Sequence, residues 1–246
     1  MAKITCCIAF FLITLVGCKK SDSATAPEEP TGNISVNIDL FDEFGSTYTP
    51  KSGVTITVSG GGQAVSKSTD ANGYADFIGL RYATYKVSAQ KAGFETFSGD
   101  YTLSSTNQNW GIGRFLTQLP TVVIDSLNAD VNSGSQIVMV GGKFSSQTPA
   151  GKTRAFVLFF GSTNSVSHSL STHQYSVDFG AFGSTTFSSS NVYTSLKAGG
   201  FASGATVHVT ARAASHTNGY NDPTSARFVY TAIETLSTIK RNFVLP

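Results

Sequence analysis

The sequence predicts an all-β chain with two β-sandwich domains in series, and three observations predict it. From Gly32 onward apolar residues recur with period two, as in Ile34, Val36, Ile38 and Leu40. The runs are short and dominated by β-branched and aromatic residues, and each is bounded by Gly, Asn, Asp or Ser. In the first domain no stretch sustains helical spacing. With 246 residues, 40% hydrophobic and 13% charged, the chain has the composition of a folded protein and is too rich in apolar residues to be mainly disordered. That length accommodates one large domain or two of roughly 100 to 120 residues, either of which buries a sizeable core. A formal charge of +2, with no dense Lys/Arg patch, excludes binding to nucleic acid by phosphate neutralisation.

At the amino terminus, Lys3 supplies a positive n-region and Ile8 to Val16 a short apolar h-region, followed by Gly17-Cys18. The apolar stretch falls short of the about 20 residues that a spanning helix needs, which points to a secretory signal. Leu15-Val16-Gly17-Cys18 resembles the lipobox of bacterial lipoproteins. The resemblance implies removal of residues 1–17 and a diacylglycerol thioether on Cys18, so that the membrane is a partner through that lipid. Cys6 and Cys7 would leave with the signal, and the mature chain would have no disulfide. Lys19 stands where many inner-membrane lipoproteins carry Asp, so the same resemblance implies delivery to the outer membrane, on its periplasmic or cell-surface face. Residues 18–31 contain Pro27, Pro30 and the pair Glu28-Glu29, have little to bury, and read as a solvated tether. Asp22-Ser23-Ala24 and Asp125-Ser126-Leu127 resemble a short bacterial O-glycosylation pattern, the first being the more accessible.

The first domain is expected over residues 32–118. Strands are read at Ile34 to Leu40, at Val54 to Val58, around Phe77 and Leu80, at Tyr85 to Ala89, around Phe94 and Phe97, and at Tyr101 to Leu103. Gly60-Gly61-Gly62 lies between strands, without a following helix or lysine, and reads as a hairpin loop. In Thr69-Asp70-Ala71-Asn72-Gly73, the side chains of Asp70 and Asn72 can bond nearby amides and Gly73 accepts a positive φ, which makes a tight turn. The succession Gly53 to Val58, Ser68 to Phe77, Leu80, Thr84 to Val87 and Ala92-Gly93-Phe94 resembles the carboxypeptidase regulatory-like, or prealbumin-like, domain. Some relatives carry an internal Lys–Asn isopeptide bond promoted by a Glu. No lysine falls between Lys20 and Lys51 here, and Ala89 occupies the position of the acid.

A short joint is read around Thr117 to Thr121, and a second domain over residues 119–232. Its strands are expected at Val122–Leu127, Gln136–Val140, Ala155–Phe160, Tyr175–Phe179, Thr186–Tyr193, Thr206–Ala213 and Ala226–Thr231, a spacing suited to a sandwich. Leu196 to Gly199, Val207 to Ala213 and Pro223 to Tyr230 resemble the last three strands of a fibronectin type III domain. Val207 stands where that family usually has tyrosine and no tryptophan occupies the second strand, so another immunoglobulin-like type stays open. Residues 233–246 form a tail in which Ile233, Leu236 and Ile239 allow a short packed helix or an extended segment.

Signatures of catalysis are missing. There is no Gly-x-Ser-x-Gly elbow, His-Glu-x-x-His pair, Cys-x-x-Cys or phosphate-binding Gly-rich loop. Paired carboxylates for glycoside hydrolysis are a matter of spatial separation and leave no sequence signature. His168 and His173 could meet across one loop, but no further ligands stand at metal-binding spacing. Asp70, Asn72 and Asp76 match only part of a calcium loop and read as a turn. No catalytic residue, metal or cofactor is therefore predicted. The candidate binding surface is the loop expected between the last two strands, His216 to Asp222, where Tyr220 could stack on a sugar or peptide while Asn218, Asn221 and Asp222 hydrogen-bond its polar edge. Trp110 is a second candidate platform, or alternatively a filler at the domain joint. The function expected is a non-catalytic, lipid-anchored envelope protein that binds glycan or protein. The alternatives are a subunit or anchor of a surface fibre, built by strand addition at an exposed edge, or an enzyme.

Overall fold

A computed structural model describes residues 29–180, 182–216, 219–222 and 227–246. The predicted signal, Cys18, most of the tether and Asn218 lie outside the described residues. The chain is all-β, and among the described residues one short helix interrupts the strands. The first half contributes β1 (Thr31–Phe41), β2 (Thr55–Gly60), β3 (Gln63–Ser68), β4 (Tyr74–Arg81), β5 (Thr84–Gln90), β6 (Phe97–Thr102) and β7 (Asn109–Thr117). Two sheets, ordered β4-β1-β7 and β3-β2-β5-β6, face one another. Burial in β1 alternates residue by residue, because Ile34, Val36, Ile38 and Leu40 all point inward. They meet Ile56, Val58, Val87 and Ala89 from the opposite sheet in one continuous core. β7 was not separately foreseen; it runs parallel to β1, with Asn33 opposite Asn109 and Phe41 opposite Thr117.

The turn into β4 has the chemistry its residues suggest. Asp70 Oδ1 accepts hydrogen bonds from the backbone N–H groups of Asn72 and Tyr74, both at 2.9 Å. Gly73 adopts a φ of 91°, and the space a Cβ would need is taken by the carbonyl oxygen of Ile38.

The second half contributes β8 (Ile124–Asn132), β9 (Ile137–Phe144), β10 (Ala155–Gly161), β11 (His173–Phe179), β12 (Thr186–Ser188), α1 (Tyr193–Ala198), β13 (Thr206–Ala214), β14 (Gly219–Asp222), β15 (Arg227–Tyr230) and β16 (Lys240–Val244). Sheets β12-β9-β8 and β11-β10-β13-β16 enclose a core of Leu127, Val138, Val140, Phe156, Leu158 and Val209. β10 is buried at every position. Its other face, Ala155, Val157 and Phe159, is covered by Val166, Ile233 and Tyr230. An unbroken apolar run is what a strand covered on both faces requires.

Three expectations are corrected. The strand read at Thr186–Tyr193 stops at Ser188, because Asn191 Oδ1 takes the N–H groups of Val138 and Tyr193 and the chain turns into α1, with Leu196 fully buried. Residues 233–246 are not an appended tail. β16 pairs antiparallel with β13, Thr210 opposite Lys240, and places Phe243 and Leu245 in the core. Ile233, Leu236 and Ile239 share no helical face: Ile233 covers β10, Leu236 is 78% exposed and Ile239 packs on the main core. Finally, the strand read at Ala226–Thr231 is described from Arg227, and it does not supply the last sandwich strand. Among the described residues β15 pairs with β14 alone, as a two-stranded ribbon outside the sandwich sheets, and β16 takes the position beside β13.

Between the two cores, Glu43 reaches across from the loop after β1. Its carboxylate accepts the backbone N–H of Thr121 (3.0 Å), the Thr121 hydroxyl (2.6 Å) and Arg154 Nη1 (2.6 Å). Glu43 and Arg154 are 7% and 3% exposed. The guanidinium lies over the rings of Phe44 and Phe144, at 5.2 and 5.8 Å from their centroids. The backbone N–H of His216 donates to the Glu43 carbonyl, and the Ser215 hydroxyl donates to that of Gln118. The joint is thus a packed, hydrogen-bonded contact.

Candidate functional site

β6 and β7 are edge strands of the two opposed sheets of the first sandwich, and among the described residues no strand bridges the seam between them. Side chains close it instead. Phe97 and Tyr101 point inward from β6 and are half-buried, while Trp110, Ile112, Arg114 and Leu116 hold the inward phase of β7. The indole Nε1 of Trp110 donates to the Thr102 carbonyl at 2.9 Å, and its ring meets Tyr101 edge to face, with centroids 5.3 Å apart. Further along, the Arg114 guanidinium sits 5.0 Å over the Phe97 ring. It donates from Nη1 to the Gly113 carbonyl (2.7 Å) and from Nη2 to the Tyr101 hydroxyl (3.3 Å).

Where this seam reaches the ribbon, a groove of about 540 Å³ lies between Phe97, Ser98, Arg114 and Phe115 on one side and Gly219 and Thr231 on the other. A second hollow of about 510 Å³ adjoins it along residues 119–123 and 233–236, and the two share Glu95, Thr96 and Thr231. Phe115 is half exposed and stands edge-on to Phe41, with centroids 6.0 Å apart. The carboxylates along the hollows have structural duties. Glu95 Oε1 accepts the backbone N–H of Thr117 at 2.9 Å. Glu234 Oε2 accepts those of Leu236 (2.7 Å) and Ser237 (2.9 Å), and its Oε1 lies 3.7 Å from Arg212 Nη1. Aromatic faces, fixed donors and small hydroxyls in one concavity suit an amphipathic ligand.

The sequence-predicted residues fall as follows. Gly219 forms part of the groove wall, and Tyr220, Asn221 and Asp222 continue from it not as a loop but as strand β14, because their backbones pair with Val229, Phe228 and Arg227. The positions of those three side chains, like Asn218 and Cys18, lie outside the described residues. Trp110 is opposite Ile34 near the start of β1, whereas the joint begins beyond Thr117 at the other end of the strand. It therefore does not fill the joint; it caps the first core beside Tyr101. His168 and His173 do not come together, since the ring of His168 packs on Phe159 and that of His173 on Phe160, which face opposite sides of β10. Burial lowers the pKa of both; for His168, Arg212 lowers it further and Glu234 acts in the opposite sense. His173 Nε2 and Ser195 Oγ are 2.8 Å apart, a pair that sequence reasoning missed. Gly199 packs against the other side of that imidazole, and among the described residues no carboxylate orients it as a triad would require. Among the described residues there is also no trio of His, Cys, Asp or Glu able to hold a metal ion, and no helix long and apolar enough to cross a membrane. The Arg114–Phe97 pair was missed as well. Its one sequence signal is an arginine at an inward phase, in the alternation Trp110, Ile112, Arg114, Leu116.

No protein-family model matches the chain, and no curated protein matches it. Among solved structures it is similar to a candidate carbohydrate-binding protein from Bacteroides uniformis ATCC 8492, at 13% identity and a TM-score of 0.31, over 87% of this chain and 100% of that one. A DUF3823 family protein from the same organism aligns at 11% identity and a TM-score of 0.28, over 88% and 100% of the two chains. The full-length major pilin SpaD from Corynebacterium diphtheriae aligns at 13% identity and a TM-score of 0.29, over 87% of this chain and 64% of that one. At such scores the function has to come from the groove.

Proposed function

We propose that the chain is a non-catalytic, lipid-anchored protein of the bacterial outer membrane that binds glycan in the groove beside the domain joint. Cys18 carries the lipid, residues 18–30 form the tether, the prealbumin-like sandwich that begins with β1 at Thr31 stands next to it, and the immunoglobulin-like sandwich lies beyond. The observation that carries the proposal is the groove itself, in which half-exposed Phe115 and the Phe97–Arg114 pair stand across from the β14–β15 ribbon. Tyr220 follows Gly219 of the groove wall directly in β14 and is the aromatic residue proposed to stack on the sugar from that side. A sugar bound there would set its apolar face on an aromatic ring and its hydroxyls on Thr96 and Ser98.

Glycan-array binding by the purified protein tests the proposal. Phe115→Ala and Tyr220→Ala should each reduce binding by an order of magnitude without lowering the melting temperature; undiminished binding in both would overturn it. Incorporation of a radiolabelled acyl precursor into the wild type, and its absence from Cys18→Ser, tests the anchor. A second reading, strand addition in a surface fibre, is favoured by β4, an edge strand with Tyr74 half exposed and Ile78 78% exposed. A concentration-dependent ladder in size-exclusion chromatography that Ile78→Lys abolishes would support it.

A further inference from the structure

We infer that the glycan taken by this groove is acidic, and that Arg114 binds it through a sugar carboxylate; this rests on the proposal that the groove binds glycan. Arg114 occupies an inward phase of β7, where Trp110, Ile112 and Leu116 pack into the first sandwich, yet the residue itself is exposed to solvent. An arginine there costs apolar burial and contributes no ion pair in return. Four ion pairs occur among the described residues, and Arg114 belongs to none of them.

The guanidinium is nevertheless held in place. It lies 5.0 Å over Phe97, one Nη1 hydrogen goes to the Gly113 carbonyl and one Nη2 hydrogen to the Tyr101 hydroxyl. Of the five N–H donors of a guanidinium these use two, which leaves three for a ligand. A fixed planar fork with free donors matches a carboxylate in bidentate fashion, and its ordering entropy has been spent before the ligand arrives. A neutral sugar hydroxyl engages one donor at a time and gains no charge assistance. The carboxylates that line the two hollows are already engaged, Glu95 by the Thr117 N–H and Glu234 by two backbone N–H groups and Arg212. Arg114 is the one cationic side chain lining either hollow among the described residues, and a ligand carboxylate is the partner its geometry lacks.

The test uses the purified full chain on an array of neutral, hexuronate-containing and sialate-containing oligosaccharides, with each acid also printed after reduction of its carboxyl to the alcohol. Hydrogen bonds to charged groups imply a preference of about tenfold or more for the acid over its reduced form. That preference should shrink as ionic strength rises. Arg114→Gln should bind both forms equally, and Arg114→Lys should recover only part of the difference. Tyr101→Phe keeps the ring and removes one of the two anchors of the guanidinium, so it should give an intermediate loss even if Arg114→Gln proves unstable. Equal binding of acid and reduced forms by the wild type, or a preference that survives in Arg114→Gln, would overturn the inference and leave the glycan site standing. Failure of every glycan in both forms would remove the glycan site itself.

Discussion

Asp70 and Gly73 close the turn into β4 by different means, one by accepting two backbone N–H groups and the other by entering the left-handed region against the Ile38 carbonyl. Gly73→Ala adds both backbone strain and a collision with main chain, and should cost about 1–3 kcal/mol in urea unfolding. Asp70→Ala frees two exposed amides that water can satisfy, and should cost about 1 kcal/mol. The two histidines packed on β10 give a prediction of a different kind. Burial lowers the pKa of His173, and burial with Arg212 lowers that of His168, below the ordinary histidine value of about 6.5. The unfolded chain then binds protons before the folded one does as pH falls, so stability drops from about pH 6.5 down to the folded pKa values. Thermal melts recorded from pH 7.5 to 5 should show this fall, and His173→Gln should flatten part of it. An unchanged slope in that variant would assign the acid sensitivity elsewhere.

At the scale of elements, β16 links sequence to stability most directly. Phe243 in the strand and Leu245 just after it are buried, and Lys240 to Asn242 pair with Thr210, Val209 and His208 of β13 at the sheet edge. Leu245→Ala should destabilise the chain by about 2–5 kcal/mol, and truncation after Ile239 should also expose the full edge of β13 and drive aggregation, visible by light scattering. Legibility divides on the same feature. β1 and β10 could be read directly, because four alternating aliphatics and an unbroken Ala-Phe-Val-Leu-Phe-Phe run are what one-sided and two-sided burial demand. β16 was obscured because its first three residues are polar and its second inward residue, Leu245, falls just beyond the strand. Of the β14–β15 ribbon, the second strand carried a strand signal whereas Gly219–Asp222 reads as a loop, and pattern alone does not say whether a strand joins the sheet or covers it. In the groove, Gly219 was approached through its neighbours, whereas Arg114 and Phe97 come from different sheets and no local spacing announces that they meet.

At the scale of the whole molecule, the groove has walls from both halves of the chain, so its shape depends on the joint. Glu43 and Arg154 are 111 residues apart, and nothing in the neighbourhood of either announces the pair. Burial of both charges makes the pair a poor source of net stability but an expensive one to break, because a lone guanidinium left behind has lost its water and its partner. Glu43→Ala should therefore cost about 3–5 kcal/mol and split the calorimetric transition, as the halves cease to unfold together. The double variant Glu43→Leu with Arg154→Met removes both charges and fills the space with apolar groups, and should recover most of that loss. The same variants separate two contributions to binding. If the joint positions the groove walls, Glu43→Ala should weaken glycan binding although Phe97, Arg114 and Phe115 are untouched, and the double variant should restore affinity along with stability. Unaltered affinity in Glu43→Ala would mean that the first sandwich alone carries the ligand, and that the ribbon beside Gly219 merely borders it.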